Sequence, residues 1–329
     1  MKKIQLVESA GKNIAENLAI EEFLWEKHES GCGTLFLWSN PSAVVIGRNQ
    51  NPWKECSFAA MRAYGTSLAR RKTGGGAVYQ DEGNLNFSFI TDEGRYEPEQ
   101  LCVIVTEALA DLGVRADFGG RNDLLLPDGR KISGLASSDR KGASLIHGTL
   151  MIDVDLEKLE NCLRVPKEKL SIRGIDSVRM RVANLKEISP DITEQAVKTS
   201  LRNAWEQAFG LKAAAVCAPA DERIGELVRF YRSDAWTYGK KMAFDLCWKK
   251  KFRWGLVCLQ FQIDRGRVGS VRAESDSLDT DWPDRVEGAL SGKLFLREPL
   301  EAGLSALAGN DPERAEIYED LCGLVRENL

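Results

Sequence analysis

The sequence predicts an α+β protein, with a larger mixed-sheet domain followed by a small α+β domain. Three observations carry this. In the first half of the chain, strands outnumber the intervening helices and several are joined by short turns, which favours a mixed sheet over a doubly wound parallel one. The chain has 329 residues, long for one domain and comfortable for two. The texture changes near residue 240, beyond which Val257, Leu259, Phe261 and Ile263 alternate strictly, the mark of a half-buried strand. The expected division is 1–240 and 241–329.

The elements follow from local patterns. Residues 2–9 read as a short strand. Asn13 is placed to cap a helix running to about Lys27, with Ile14, Leu18, Phe23, Leu24 and Trp25 on its apolar side. Thr34–Trp38 and Ala43–Ile46, split by Asn40-Pro41-Ser42, give a strand–turn–strand pattern. Trp53–Tyr64 is helical in composition. Ser67–Arg71 leads into a glycine run, and Leu85–Ile90 is the next strand. Pro98 stands at a first helical position before Val103–Leu112, and Gly113 ends that helix. Strands are expected at 123–126, 131–136 and 145–152, with Asp128-Gly129 as a tight turn. From 155 to 238 the pattern is mainly helical. In the second domain, Asp264-Arg265-Gly266 turns the alternating strand into Val268–Ala273, and helices near 284–291 and 311–327 close the chain. A hairpin plus two helices is the expected accessory domain.

Composition bounds the function. Hydrophobic residues make up 43% and charged residues 29%, enough for a core and a solvated surface. The net charge of −4 argues against a nucleic-acid binder, which normally shows a basic face. Met1-Lys2-Lys3 is followed by no continuing apolar region, so it does not read as a signal peptide. Charged residues interrupt every apolar run, which argues against a membrane span. The expectation is a cytoplasmic protein. The eight cysteines (32, 56, 102, 162, 217, 247, 258, 322) include no C-x-x-C pair, and free buried thiols are expected. The only histidines are His28 and His147, so no zinc-type cluster is visible.

Four segments carry chemistry. Arg70-Arg71-Lys72-Thr73-Gly74-Gly75-Gly76-Ala77-Val78-Tyr79-Gln80-Asp81 places three glycines between two strands, beside two arginines. Such a run is either a tight turn or a nest of N–H groups for an anion. Its spacing is neither that of a P-loop nor G-x-G-x-x-G. Asn122 and Asp123, after Gly119-Gly120-Arg121, are either turn formers or contacts for a phosphate and Mg²⁺. Lys131, heading Lys131-Ile132-Ser133-Gly134, is either a surface charge or an electrostatic stabiliser of developing negative charge. His147, before Gly148-Thr149-Leu150 within a strand, is a structural or a catalytic histidine, and a lone histidine is more often structural.

Taken in this order, the segments resemble the lipoate–protein ligase A family. The family pattern is an arginine pair, Ser-Gly-Gly-Gly-Ala-Val, an aromatic residue and His-Asp. The resemblance includes Asn17-Leu18-Ala19-Ile20-Glu21-Glu22 and Gly47-Arg48-Asn49-Gln50-Asn51-Pro52-Trp53-Lys54-Glu55-Cys56. It continues through Gly83-Asn84, Arg121-Asn122-Asp123, Lys131-Ile132-Ser133-Gly134 and His147-Gly148-Thr149-Leu150. It is strong over 15–185 and weaker to the end, where relatives carry a small accessory domain. It implies the mixed-sheet fold shared by biotin and lipoate–protein ligases. It also implies two half-reactions: activation of lipoate by MgATP to lipoyl-adenylate, then transfer to a lysine of a lipoyl-domain protein. The implied acceptors are 2-oxoacid dehydrogenase E2 subunits and the glycine cleavage H protein. Lys131 matches the essential lysine, touching both the acid's carboxyl and the α-phosphate. Arg71, Gly76, Ala77, Val78 and Tyr79 match the nucleotide loop. Asn84, Asn122 and Asp123 are implied phosphate or Mg²⁺ contacts. Gly75, Lys131, Leu18, Val45, Ile46 and His147 are the candidates for the lipoate site, whose apolar tail needs an apolar tunnel. There are departures: Lys72-Thr73 replaces what is often Ser-Ser, and Gln80 stands where relatives often have His. Gln80 hydrogen-bonds but does not titrate.

The alternative is a lipoyl or octanoyl transferase using a preformed acyl donor. Octanoyltransferases of this superfamily use a cysteine nucleophile, which needs an accessible, electropositive site; Cys102 and Cys162 fall in helix-like segments that look buried. A biotin ligase is disfavoured by the absence of its Gly-Arg-Gly-Arg-x-Gly-Arg loop. A non-catalytic lipoyl-adenylate binder is expected to have lost Lys131 or part of the loop. Lys240-Lys241 and Lys249-Lys250-Lys251 read as a charge-protected strand edge.

Overall fold

The computed structural model describes residues 1–119, 122–164, 181–239 and 244–329. They form two compact units, one of Met1–Ile46, Pro52–Arg71 and Ala77–Thr237, the other of Gly47–Asn51, Lys72–Gly76 and Tyr238–Leu329. The boundary expected at 240/241, the Lys240-Lys241 pair and Arg121 lie outside the described residues.

The first unit is built on an eight-stranded mixed sheet. Its strands are β1 (Lys3–Glu8), β2 (Cys32–Ser39), β6 (Asn84–Asp92), β7 (Asp117–Gly119), β8 (Asp123–Leu125), β9 (Lys131–Arg140), β10 (Ala143–Met151) and β11 (Ala214–Cys217). The spatial order is β11-β1-β2-β6-β10-β9-β8-β7. The β11, β1 and β2 strands run parallel; from β2 onward every pair is antiparallel. A second, three-stranded sheet holds β3 (Ala43–Ile46) between β4 (Ser67–Arg70) and β5 (Val78–Gln80). The apolar runs on either side of Pro41 are both strands, but they lie in different sheets. The strand β11 falls in the stretch expected to be helical. Its four residues, Ala-Ala-Val-Cys, carry too little pattern to stand out from the flanking helices, and only the parallel pairing with β1 makes them a strand.

Side-chain alternation splits the large sheet into two faces. On one, Leu35, Leu37, Leu85, Phe87 and Phe89 pack against α3 (Pro98–Ala110) and α5 (Glu194–Phe209). Phe89 stacks on Trp205 with ring centroids 5.1 Å apart. Each such large side chain contributes about 1.5–3 kcal/mol on burial. On the other face, Val7, Phe36 and Trp38 meet α1 (Ile14–Glu26) and α6 (Glu222–Arg232). Asn13 caps α1 as expected: its side-chain oxygen accepts from the Ala15 and Glu16 amides. Two shorter helices, α2 (Phe58–Tyr64) and α4 (Leu156–Cys162), cover the small sheet through Met61 and Leu159. The β9–β10 connection is a two-residue turn, Lys141-Gly142, with both φ values positive, which gives the twist that matches antiparallel strands.

In the second unit, β12 (Leu246–Lys251), β13 (Leu256–Asp264) and β14 (Arg267–Ser275) form an antiparallel sheet in that order. Trp248, Val257, Leu259 and Phe261 face α7 (Trp282–Leu290), α8 (Arg297–Asn310) and α9 (Ala315–Asn328). The expected hairpin plus two helices is thus a three-stranded sheet with three helices. The strand β12 hides behind its lysines, and α8 behind a Gly- and Ala-rich sequence of weak periodicity. The Lys249-Lys250-Lys251 run does lie on an edge strand.

Candidate active site

The polar residues of the first unit gather on the α1 face of the large sheet. Pairing of β6 with β10 sets Ser88 opposite His147, Asn86 opposite Thr149 and Asn84 opposite Met151. On the next strand Ala136 lies opposite His147. The Gly134 amide donates to Thr149 Oγ1 at 3.2 Å.

Lys131 enters this face at the start of β9. Its ammonium lies 2.6 Å from Asp123 Oδ1 on the neighbouring β8, each side chain about a third exposed (32% and 33%), so the pair is neither locked in the core nor fully solvated. Gly134 makes room for it. A Cβ there would stand 2.8 Å from Lys131 Nζ. The ammonium is thereby placed over Gly134, on the face shared with Thr149 and Asn84. Asn122 clamps the adjoining backbone: its amide nitrogen donates to Leu135 O at 2.7 Å, and its carbonyl accepts from Leu135 N at 2.8 Å. Its side-chain donor is therefore used within the fold.

Asn84 is only 1% exposed, and neither side-chain oxygen nor nitrogen has a hydrogen-bonding partner. A buried amide left this way costs about 1–3 kcal/mol, so it is the group on this face best placed to take a polar ligand. Asp81 shapes the turn before it, accepting from Gly83 N at 2.9 Å and Asp155 N at 3.0 Å.

A carboxylate sits at the other end of the face. Glu21, buried on α1, accepts from Ser88 Oγ at 2.5 Å and lies 2.8 Å from His147 Nδ1. Trp38 Nε1 donates to Ser88 Oγ at 3.1 Å. Arg71 is buried nearby, donating from Nη1 to Val45 O at 3.2 Å. Burial pushes its guanidinium down to about 10, against the pull of Glu21. Glu21 has no role in the sequence reading. Its signal is there, though: it lies three residues after Leu18 and four after Asn17, on the buried side of a helix that also carries Leu18 and Trp25.

A second buried relay joins Asn17, Asn40, Gln80 and Asn86. Asn17 donates to Asn40 at 2.8 Å, and Gln80 accepts from Asn40 at 2.7 Å and from Asn86 at 3.4 Å. Gln80 therefore ties α1, the β2–β3 turn, β5 and β6 together, which a neutral amide does without a charge to bury.

The tunnel candidates separate. Leu18 packs among Val7, Phe36 and Trp38, whereas Ile46 packs with Val44, Met61 and Tyr79. Alternation along β3 points Val45 and Ile46 to opposite faces, so they do not line one wall. Of the loop candidates in this unit, Val78 pairs with Val45 and Tyr79 with Val44. Tyr79 is buried, its hydroxyl 3.1 Å from Ser42 Oγ, and burial lifts it to about 12. Ala77 packs against the same cluster as Tyr79.

The glycines of the loop belong to the second unit. Gly75 (φ +87°) donates its N–H to Ser277 O at 3.0 Å, and a Cβ on Gly74 would stand 2.2 Å from the same carbonyl. Gly47 packs on the loop as closely, with 2.3 Å between its would-be Cβ and Gly75 O. Close backbone approach within the fold is thus one reason for the glycines, independent of any anion. Gly76 has open space where a Cβ would stand.

Cys56, Cys102 and Cys162 are all buried, and burial raises their thiols, the first two to about 12. Such thiols make poor nucleophiles. Among the described residues, no three His, Cys, Asp or Glu side chains are grouped to hold a metal, and no helix is long and apolar enough to cross a membrane.

Comparison with known proteins assigns both parts of the chain. Residues 13–206 match the lipoyl protein ligase A/B catalytic domain, and residues 241–320 match the bacterial lipoate protein ligase C-terminus. LipL1 of P. falciparum, solved in complex with lipoate, is 25% identical with a TM-score of 0.84; the match covers 97% of this chain and 99% of that one. A bipartite archaeal lipoate protein ligase from Thermoplasma acidophilum, described with its E2 lipoyl domain, is 30% identical over 74% of this chain and 100% of that one, with a TM-score of 0.64. A lipoate-protein ligase A bound with ATP is 27% identical over 72% of this chain and 98% of that one, with a TM-score of 0.62. The mixed sheet that carries Lys131, the small C-terminal α+β domain and the family matches agree, and the chain belongs to the lipoate–protein ligase family of enzymes.

Proposed function

We propose that the protein activates lipoate or a similar acid with ATP, releasing pyrophosphate, and passes the acyl group to a lysine of a lipoyl-domain protein. The observation that carries this reading is the Lys131 ammonium, held beside Asp123 on the same face as the unsatisfied amide of Asn84. In the first step a carboxylate oxygen of the acid attacks the α-phosphorus of ATP and the bond to the bridging oxygen of pyrophosphate breaks. Charge gathers on the α-phosphate oxygens and is shared with the attacking carboxylate. One ammonium between the two offsets both charges and fixes their approach. In the second step the acceptor's ε-amine attacks the acyl carbon, AMP leaves, and the amine proton is lost. Here the same ammonium stabilises the departing phosphate.

Mg²⁺ would supply charge neutralisation on the phosphates. Asp123 fits it only as a single-oxygen ligand, because Oδ1 already faces Lys131 and the remaining coordination would come from phosphate and water. His147 and Glu21 form a buried, hydrogen-bonded end to the polar face, suited to orient the far end of the acid and not to attack it. The solved relatives described with lipoate, with ATP and with an E2 lipoyl domain support this substrate set. Burial disfavours Cys56, Cys102 and Cys162 as acyl-transfer nucleophiles.

The test is an intact-mass assay of a lipoyl domain incubated with enzyme, lipoate and MgATP. The expected result is one lipoyl increment that requires ATP and disappears when the acceptor lysine is replaced by arginine. An increment formed from supplied lipoyl-adenylate but never from lipoate and ATP would make the protein a transferase.

A further inference from the structure

We propose that Cys247 and Cys258 are a redox modification site, closing to a reversible disulfide across the sheet of the second unit. The two thiol sulfurs lie 2.7 Å apart. A disulfide needs about 2.05 Å, so small side-chain rotations suffice to bond them. Register explains the approach. Cys247 on β12 stands opposite Gln260, and Cys258 on β13 stands opposite Lys249. The cysteines are diagonal neighbours on the face away from Trp248, Val257, Leu259 and Phe261, where the two strands direct their side chains to one side.

The two thiols differ in a way that suits an attacking and a resolving group. Cys247 is exposed, whereas Cys258 is buried at 6% exposure. Opposite Cys258 on β14 stands Glu274, and Gln260 Nε2 lies 3.9 Å from Cys258 Sγ.

The oxidant class is a low-molecular-weight disulfide. The Cys247 thiolate attacks one of its sulfurs, forming a mixed disulfide and expelling one thiolate. Cys258, losing its proton, attacks the Cys247 sulfur and expels the second. Two protein thiols are oxidised to one disulfide, and one small disulfide is reduced to two thiols. A dithiol reverses both steps. The product ties the lysine-bearing edge strand β12 to the centre of its sheet.

The experiment uses the purified full chain, incubated with oxidised glutathione and then with dithiothreitol. The expected product has lost two hydrogen masses, carries no glutathione, and yields a cross-linked peptide pair containing Cys247 and Cys258. Two of the eight thiols disappear from titration and return with dithiothreitol. Amide exchange across Leu246–Lys251 slows in the oxidised form. In Cys258→Ser, which lacks the resolving thiol, a single glutathione stays on Cys247. A wild-type product with glutathione retained on Cys247, or with cross-links joining other cysteines instead, would overturn the proposal. The wild-type map alone decides, whatever the folding of the variant.

Discussion

Lys131 Nζ lies 2.6 Å from Asp123 Oδ1, across the pair of adjacent strands β8 and β9. The contact holds a flexible ammonium in one place at the entrance to a buried polar face. Asp123 therefore acts first as a positioning residue. Asp123→Asn is expected to lower the rate of adenylate formation about tenfold, roughly 1.4 kcal/mol of transition-state stabilisation, with little change in unfolding midpoint. Adding Mg²⁺ should not restore it. Full rescue by high Mg²⁺ would assign Asp123 to the metal instead.

Gly134 gives Lys131 its path. A methyl group there meets Lys131 Nζ at 2.8 Å, the far end of a movable side chain. Gly134→Ala should fold normally and lose about one order of magnitude in kcat, because misplacing the ammonium costs alignment. Circular dichroism melts beside steady-state kinetics separate the two effects. A large fall in melting temperature with unchanged kcat would contradict this role.

Gly83 is a different case. A Cβ there would lie 2.0 Å from the backbone carbonyl of Asp153, which has no such freedom to move. Gly83→Ala should destabilise the first unit by about 2–4 kcal/mol, read as a lower midpoint in urea. Asn84 follows directly, so activity should fall with stability. An unchanged midpoint would show that the turn relaxes at little cost.

Glu206 makes acid stability readable. Lys212, and then the Ala213 amide and Arg202, hold its carboxyl down at about 2, against the opposing cost of burial. A carboxyl with a depressed folded pKa stabilises above its unfolded value of about 4.3, and the contribution is lost as pH falls toward 2. Lys212 is 91% exposed, so screening limits the effect to about 1 kcal/mol. Glu206→Gln should be that much less stable at pH 7, with the difference shrinking as pH drops from about 4.3 to 2. A constant difference across this range would place the effect in packing.

Much of the fold was legible because its signals are local. The Asn13 cap, Pro98 at the start of a helix and the Asp128-Gly129 turn each depend on a few adjacent residues and appear as read, and the alternation from Val257 to Ile263 does form a strand, though Cys258 and Gln260 bury its other face as well. What was missed depends on distant partners. The strand β11 exists through pairing with β1, far away in the chain, and β12 buries only Trp248 beside its three lysines. In the site, Lys131 and Asp123 stood out as charges at a strand entrance. Glu21 did not, because its meaning comes from Ser88 and His147 on other strands.

The central claim is that Lys131 drives adenylation. The most direct test is lipoate-dependent exchange of labelled pyrophosphate into ATP, comparing wild type with Lys131→Ala. The expected result is exchange that requires lipoate and falls at least 10²- to 10³-fold in the variant, about 3–4 kcal/mol. No exchange by folded wild type, or equal exchange by Lys131→Ala, would contradict the account.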